Sequence, residues 1–367
     1  MKKKNIPETT VYRQIGKVGL LEYKALNEFD RIVNAFSTRE GGVSEGQFAT
    51  MNFSVTMGDD PAKVAENFRI FGEAIGVKPE DMVYADQKHT DHVMVVGPEH
   101  KGMGVTRERD FTHATGYDGV ESRGGTGQET GNVASPSGTG QETGNVAPPS
   151  GTGQEIGNVG TQGNRTCEGF ENGVDGLITN EPGICLVTSY ADCVPLYFVD
   201  PVHRAIGLTH SGWRGTVAKI GTRTLELMHE MYGSEPADMV CAIGPCICKK
   251  CYEVSEDVAE AFEAAYTKEQ YERICEPREL NDLSREAKKG LECSSSRSDR
   301  DESRISKAGK YLLDLPQANY EQFVEMGVKP ENIALPDLCT ACNHDFLHSH
   351  RATGGKRGGN CAFLMIK

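Results

Sequence analysis

The chain has 367 residues, of which 25% are charged and 37% hydrophobic, and its formal net charge is −14. Such an acidic excess disfavours a nucleic-acid partner, because phosphate binding draws on lysine and arginine, yet it leaves room for a local basic pocket that takes a small anion. No apolar run reaches the roughly 18 residues of a membrane span, so neither a transmembrane helix nor a membrane partner is expected.

The start, Met1-Lys-Lys-Lys-Asn-Ile-Pro7, is basic but lacks the apolar segment of a secretory signal. The twelve cysteines show no disulfide-scaffold spacing, so reduced thiols and a cytoplasmic location are expected. Residues 10–58 read as short strands and loops, with a strand at 33–37 and a turn at 38–44. Asp59 or Asp60 can cap a helix with Pro61 at its first position, running to about Ile75 on the apolar set Val64, Phe68, Phe71 and Ile75. Residues 82–96 read as two strand pieces around a polar turn, Gln87-Lys-His-Thr-Asp-His92.

Residues 122–165 break the pattern with three copies of a 13-residue unit, Gly-Thr-Gly-Gln-Glu-x-Gly-Asn-Val and four variable residues. Each copy offers little more than one valine, too little apolar surface to offset the ordering of so many glycines. The stretch therefore reads as a disordered insertion made by tandem duplication. Beyond it the pattern is strongly α and β. Apolar runs at 183–188, 194–199 and 204–209 suit buried strands. Residues 216–232 read as one amphipathic helix with Val217, Ile220, Leu227, Met228 and Met231 inside. A strand at 239–243 and a helix at 255–265 follow, then a charged, serine-rich second insertion at 284–309. A helix near 315–326, a loop with Cys339 and Cys342, and a strand at 362–366 close the chain.

Two of these strands bring chemistry to their ends. Tyr190-Ala-Asp-Cys-Val-Pro195 and His210-Ser-Gly-Trp-Arg-Gly215 place a thiol (Cys193) and an imidazole (His210) where neighbouring strands end. Such a pair can hold a metal ion or form an activated nucleophile. His89 is the best third group. One thiolate and two imidazoles suit zinc, and three protein ligands leave a position open, the mark of a catalytic site. The spacing, 104 residues and then 17, matches no compact zinc motif. On spacing alone His89 is a surface histidine and Cys193 a small buried hydrophobe.

A rival site is visible in two C-x-x-C pairs, Cys248/Cys251 and Cys339/Cys342, with the ligand arithmetic of a zinc held by four cysteines. Their separation is longer than in zinc ribbons, and free thiols lining a loop are the simpler reading. His348-Ser-His350 is a lone H-x-H pair among ten histidines, too few for a multicopper centre. Arg39, Arg214 and Arg351 each sit in a Gly- or Ser-bearing turn. A guanidinium there can grip phosphate or carboxylate, or simply make a surface ion pair. Asp192, next to Cys193, can orient a ligand from behind.

Ten blocks occur in an order that resembles the laccase-domain family, also called the YfiH family and historically labelled polyphenol oxidases. They are Phe36-Ser-Thr-Arg-Glu-Gly-Gly-Val-Ser44, Gln87-Lys-His89, Asp175-Gly-Leu-Ile-Thr179, Ala191-Asp-Cys-Val-Pro195, His210-Ser-Gly-Trp-Arg-Gly215, Ile243-Gly-Pro-Cys-Ile247, Cys251-Tyr-Glu-Val254, Leu313-Asp-Leu315, Cys339-Thr340 and Ser349-His-Arg351. The resemblance implies an α+β fold of three layers of mixed sheets and helices, similar to bacterial toxin deamidases. It implies one catalytic domain made of residues 1–121 and 166–367, interrupted by the two insertions. It implies a metal triad of His89, Cys193 and His210, zinc as the cofactor with copper the less suitable ion, and activity on purine nucleosides. The implied reactions are phosphorolysis of adenosine, inosine and 5′-methylthioadenosine, and deamination of adenosine to inosine. Nucleosides and phosphate would be the partners, with monomer and homodimer both open. The family's common glycine after the first histidine is Thr90 here, and its C-terminal Gly-Arg is altered to Lys356-Arg-Gly358. Three other readings stay open: a metal-free cysteine hydrolase or deamidase using Cys193 and His210, a copper polyphenol oxidase, and a non-catalytic module stabilised by zinc at the four cysteines.

Overall fold

The computed structural model describes residues 9–108, 115–117, 173–278 and 309–367. The two predicted insertions, 122–165 and 284–309, lie outside the described residues apart from Gly309. The strands are β1 (Thr10–Ile15), β2 (Val18–Tyr23), β3 (Ile32–Ser37), β4 (Met82–Tyr84), β5 (Val93–Val95), β6 (Thr115–Tyr117), β7 (Gly176–Thr179), β8 (Cys185–Tyr190), β9 (Val194–Asp200), β10 (Ala205–Ser211), β11 (Val240–Ile243), β12 (Glu253–Ser255), β13 (Cys275–Pro277), β14 (Lys310–Leu313), β15 (Ile333–Ala334) and β16 (Asn360–Ile366). The helices are α1 (Lys24–Asn27), α2 (Pro61–Ile75), α3 (Trp213–Val217), α4 (Ile220–Tyr232), α5 (Glu256–Ala265), α6 (Lys268–Ile274), α7 (Leu315–Glu325) and α8 (His350–Thr353).

The fold is mixed α+β. One sheet has the order β1-β2-β3-β16-β8-β4, a second β15-β11-β9-β10-β7-β5-β6, and a small third β12-β14-β13. Both faces of the central strands are buried, which is why their sequences read as unbroken apolar runs. Along β9, Val194, Leu196 and Phe198 face the helices while Tyr197 and Val199 face the other sheet. Along β16, Ala362, Leu364 and Ile366 join the core between the sheets, and Cys361, Phe363 and Met365 pack on the other side with Phe68 and Phe71 of α2. Buried tyrosines stitch the two sheets together: Tyr197 donates its hydroxyl to the Ala35 carbonyl (3.1 Å) and Tyr190 to that of Thr209 (3.1 Å).

Helix α2 begins and ends as read. Asp60 accepts from the Ala62 N–H, Pro61 occupies the first turn, and Gly76 closes the helix at φ 72°. The predicted helix 216–232 is in fact two pieces. Lys219 takes φ 61° between α3 and α4, and its ammonium lies 3.3 Å from the centre of the Tyr266 ring. Helix α4 buries Ile220, Thr224, Leu225, Leu227 and Met228. Met231, expected inside, is 40% exposed because the buried set ends one turn earlier.

Two chain crossings prepare the site. The links β4→β5 and β8→β9 both leave the first sheet and enter the second. β4 lies parallel to β8, and β5 parallel to β7. The turns 85–92 and 191–193 therefore emerge at the same end of the molecule.

Candidate active site and a four-cysteine cluster

Cys193 closes the short crossing between β8 and β9, just after Asp192, which sits at φ 96°. His210 is the penultimate residue of β10 and pairs in register with Pro195 of β9. His89 lies in the other crossing at φ 63°. The ligand atoms of these three residues all lie within 4.8 Å of one another, with Cys193 Sγ 3.7 Å from His89 Nε2. Gly212 permits the approach. A Cβ there would stand 2.6 Å from His89 Cδ2 and 3.3 Å from Cys193 Sγ.

Asp175, immediately before β7, holds the arrangement from behind and is fully buried. Its carboxylate accepts from the N–H groups of Lys88, His89 and Thr90, from the Thr90 hydroxyl (2.7 Å) and from His210 Nδ1 (2.8 Å). A carboxylate ion only accepts, so Nδ1 of His210 keeps a proton, and Nε2 is the nitrogen that becomes a lone-pair donor once its own proton is released. Burial by itself would raise the Asp175 pKa, but the bonds from His210 and Thr90 hold it below the usual range. In the sequence Asp175 stands only as the first residue of a shared block, and this role is not visible there. The signal was a lone acid immediately before a buried strand.

The electrostatics favour a thiolate. Burial pushes the Cys193 thiol up, but the imidazoles of His210 and His89 outweigh it and bring it down to about 6. Burial pulls His210 down, while Cys193 and Asp175 carry it up to about 10. One thiolate, one imidazole fixed in the ligating tautomer and a second imidazole form a donor set that fits a borderline metal ion with three protein ligands.

Asp192 stands directly before Cys193 in the chain and binds the neighbouring loops. Its carboxylate accepts from Thr340 Oγ1 (2.6 Å), Ser349 Oγ (2.7 Å) and the Arg351 N–H (2.7 Å), so it anchors two loops next to Cys193 rather than orienting an imidazole. The three predicted arginines occupy three different settings. Arg39 donates to the Ala49 and His344 carbonyls and braces its own turn. Arg351 is exposed and donates to the carbonyls of Cys251 (3.1 Å) and Glu253 (2.9 Å). Arg214 is exposed and stacks on Trp213, 4.3 Å from the ring centre. Arg214, Arg351, Cys193 and Asp192 all act electrostatically on the half-buried Tyr252, so they share one neighbourhood. Arg357, missed as a candidate, is half-buried within electrostatic range of Cys193 and Asp192; burial lowers its pKa and those two anions oppose the shift.

The rival cysteines also converge. Cys248, Cys251, Cys339 and Cys342 have all their sulfurs within 4.8 Å of one another and could hold a metal ion. His348 lies apart from both clusters. It is buried, with Nε2 on the Met51 carbonyl and Nδ1 accepting from the Gly358 N–H.

No helix among the described residues is long and apolar enough to cross a membrane. A purine nucleoside phosphorylase of Bacteroides thetaiotaomicron is 28% identical over 347 residues, covering 95% of this chain and 96% of that protein. Adenosine deaminase RL5, from an unknown prokaryotic organism, is 25% identical over 327 residues, covering 89% of this chain and 91% of that protein. The crystal structure of YlmD from Geobacillus stearothermophilus superposes with a TM-score of 0.66 at 25% identity, over 98% of this chain and 99% of that one. The model of the family described as multi-copper polyphenol oxidoreductase laccase matches residues 33–123, 152–294 and 284–367, and with the ordered blocks and shared fold the chain belongs to this laccase-like family.

Proposed function

We propose that this protein is a zinc-dependent purine nucleoside phosphorylase that cleaves adenosine, inosine and 5′-methylthioadenosine with phosphate and also deaminates adenosine. On this reading residues 1–121 and 166–367 form one catalytic domain that works in the cytoplasm. The observation that carries it is the convergence of His89, Cys193 and His210, with His210 fixed in its ligating tautomer by Asp175. The names of the phosphorylase and deaminase relatives supply the substrate class.

His89, Cys193 and His210 would hold the ion. When bound, zinc supplies Lewis acidity and lowers the pKa of a water in its open position. The chain's own groups do the rest. Asp175 fixes the backbone of residues 88–90 and the His210 ring, so the donors need little reorganisation. The depressed Cys193 pKa keeps its sulfur anionic at neutral pH. Phosphorolysis needs a phosphate beside the ribose C1′ and positive charge near the departing purine. Arg214 and Arg351 lie within electrostatic range of Tyr252, as Cys193 does, and Arg357 lies within range of Cys193 itself, so these three can supply it. Arg39, whose charge acts on the buried His348 and which is held by the Ala49 and His344 carbonyls, is assigned to the scaffold.

The test is metal content and phosphate-dependent turnover of adenosine and inosine, for the wild type and Cys193→Ala. Turnover that survives loss of the triad metal would overturn the reading. Alanine at each arginine is expected to raise the phosphate KM for Arg214, Arg351 and Arg357 and to leave it unchanged for Arg39. A second reading draws on the Cys193 thiolate facing the His210 imidazolium: a metal-free cysteine hydrolase. It requires metal-stripped protein to stay active and to form a covalent substrate adduct at Cys193.

A further inference from the structure

The four cysteines stand on two segments far apart in sequence. Cys248 and Cys251 flank a single turn after β11, and Cys339 and Cys342 lie on the loop after β15. The segments meet in register: Cys246 and Cys339 form a parallel bridge, and the Thr340 N–H donates to the Cys246 carbonyl (3.0 Å). Cys251 and Cys342 sulfurs lie 3.4 Å apart. The N–H groups of Cys248 (3.3 Å) and Cys342 (3.4 Å) both point at the Cys339 sulfur, stabilising negative charge on it. A tetrahedron with zinc–sulfur bonds of about 2.3 Å has sulfur–sulfur edges of about 3.8 Å, and the four sulfurs sit within 4.8 Å of each other before any ion draws them in. There is no histidine or carboxylate in this group, which leaves no vacant position for water once four thiolates are in place.

What the cluster joins gives it a purpose. The Ile247 N–H, next to Cys248, donates to the Asp192 carbonyl (3.0 Å). Thr340, between Cys339 and Cys342, donates to the Asp192 carboxylate (2.6 Å). Arg351 donates its N–H to the same carboxylate and its guanidinium to the Cys251 carbonyl. Both flanks of the cluster therefore close on Asp192, one residue from Cys193.

We infer that Cys248, Cys251, Cys339 and Cys342 form a second, structural zinc site, a closed tetrathiolate clamp that ties the 246–252 and 335–351 segments together and fixes the Asp192–Cys193 crossing. The clamp and the triad are separate sites in one chain, and each is testable without the other. On binding, the four thiols lose their protons to solvent and the ion's waters are released.

The experiment is zinc stoichiometry on the full chain by elemental analysis, with X-ray absorption at the zinc edge, for the wild type, His210→Asn and the double variant Cys339→Ser/Cys342→Ser. Two zinc ions per wild-type chain are expected, falling to one in each variant. The ion left in His210→Asn should show an all-sulfur shell, and the ion left in the double variant a mixed nitrogen–sulfur shell. One zinc in the wild type that persists in the double variant overturns the clamp and leaves the triad standing. One zinc that persists in His210→Asn with an all-sulfur shell supports the clamp and overturns the proposed catalytic metal. If the double variant does not fold, the zinc count and spectrum of His210→Asn decide: a single ion whose shell contains nitrogen refutes the clamp. Alkylation of intact protein gives a second readout, in which the four thiols should be protected until a chelator is added. Thiols that react at once, or that need a reductant instead, refute it.

Discussion

The triad and the four-cysteine cluster both gather metal-binding side chains, but they are built in opposite ways. The triad stands where two chain crossings leave one sheet for another, and a buried acid braces it through five donors. Its donors are mixed and only three, and His89 is exposed. The cluster stands on loops, has four like donors, and is braced mainly by backbone N–H groups aimed at sulfur. A site meant to exchange ligands needs a rigid frame and a vacancy, whereas a site meant to hold loops supplies its own rigidity by closing.

Four measurements would break or sharpen that contrast. The largest effect is expected from Asp175→Asn. It places an amide among five donors and removes the anion beside His210, which should cost about 3–5 kcal/mol of stability and about 10–100-fold in triad metal affinity. Denaturant unfolding and metal titration check it. An unchanged affinity at the triad would mean that the acid braces the fold only.

The next concerns pH. Burial and the nearby Arg39 and Arg357 hold His348 at about 3, against an ordinary 6.5. A proton on Nδ1 would face the Gly358 N–H that Nδ1 now accepts. The folded value lies below the unfolded one, so the unfolded chain binds the extra proton and stability falls as pH falls. The loss should reach about 3 kcal/mol between about pH 6.5 and 4. Unfolding midpoints measured across that window should flatten in His348→Gln, and an equal slope in the variant would remove His348 as the cause.

Gly212→Ala tests crowding directly. The backbone there, φ −77° and ψ 175°, suits alanine, so any effect comes from the Cβ pressing on His89 and Cys193. Triad affinity should drop about tenfold or more, with the four-cysteine site unaffected. Equal loss at both sites would refute the separation. The smallest effect is expected from Thr90→Gly, which deletes one hydroxyl bond to Asp175. A loss of about 1 kcal/mol in thermal unfolding is expected, with the metal count unchanged.

Much of the fold was legible because local chemistry and tertiary context agreed. Asp60, Pro61 and Gly76 punctuate α2 where their side chains and backbone preferences say they should. Strands buried on both faces announced themselves as apolar runs. The helix after Gly212 misled because its break at Lys219 depends on a contact with Tyr266, which is 47 residues away and carries no local signal. The acids misled for a related reason. Asp192 looked like the orienting group because it adjoins Cys193 in sequence. Asp175 reaches His210 only because β7 and β10 are hydrogen-bonded neighbours.

By itself, then, the sequence determined the alternation of apolar strands and capped helices, the ordered blocks of the laccase-like family and the identity of the sulfur and imidazole donors. These are properties of residue type and short-range spacing, which the chain carries wherever it goes. Only the tertiary structure decided which donors meet. His89 and Cys193 are 104 residues apart and Cys251 and Cys342 are 91. Closing such loops depends on strand pairing and on burial of the cores between the sheets, and no local pattern encodes where two distant turns come to rest.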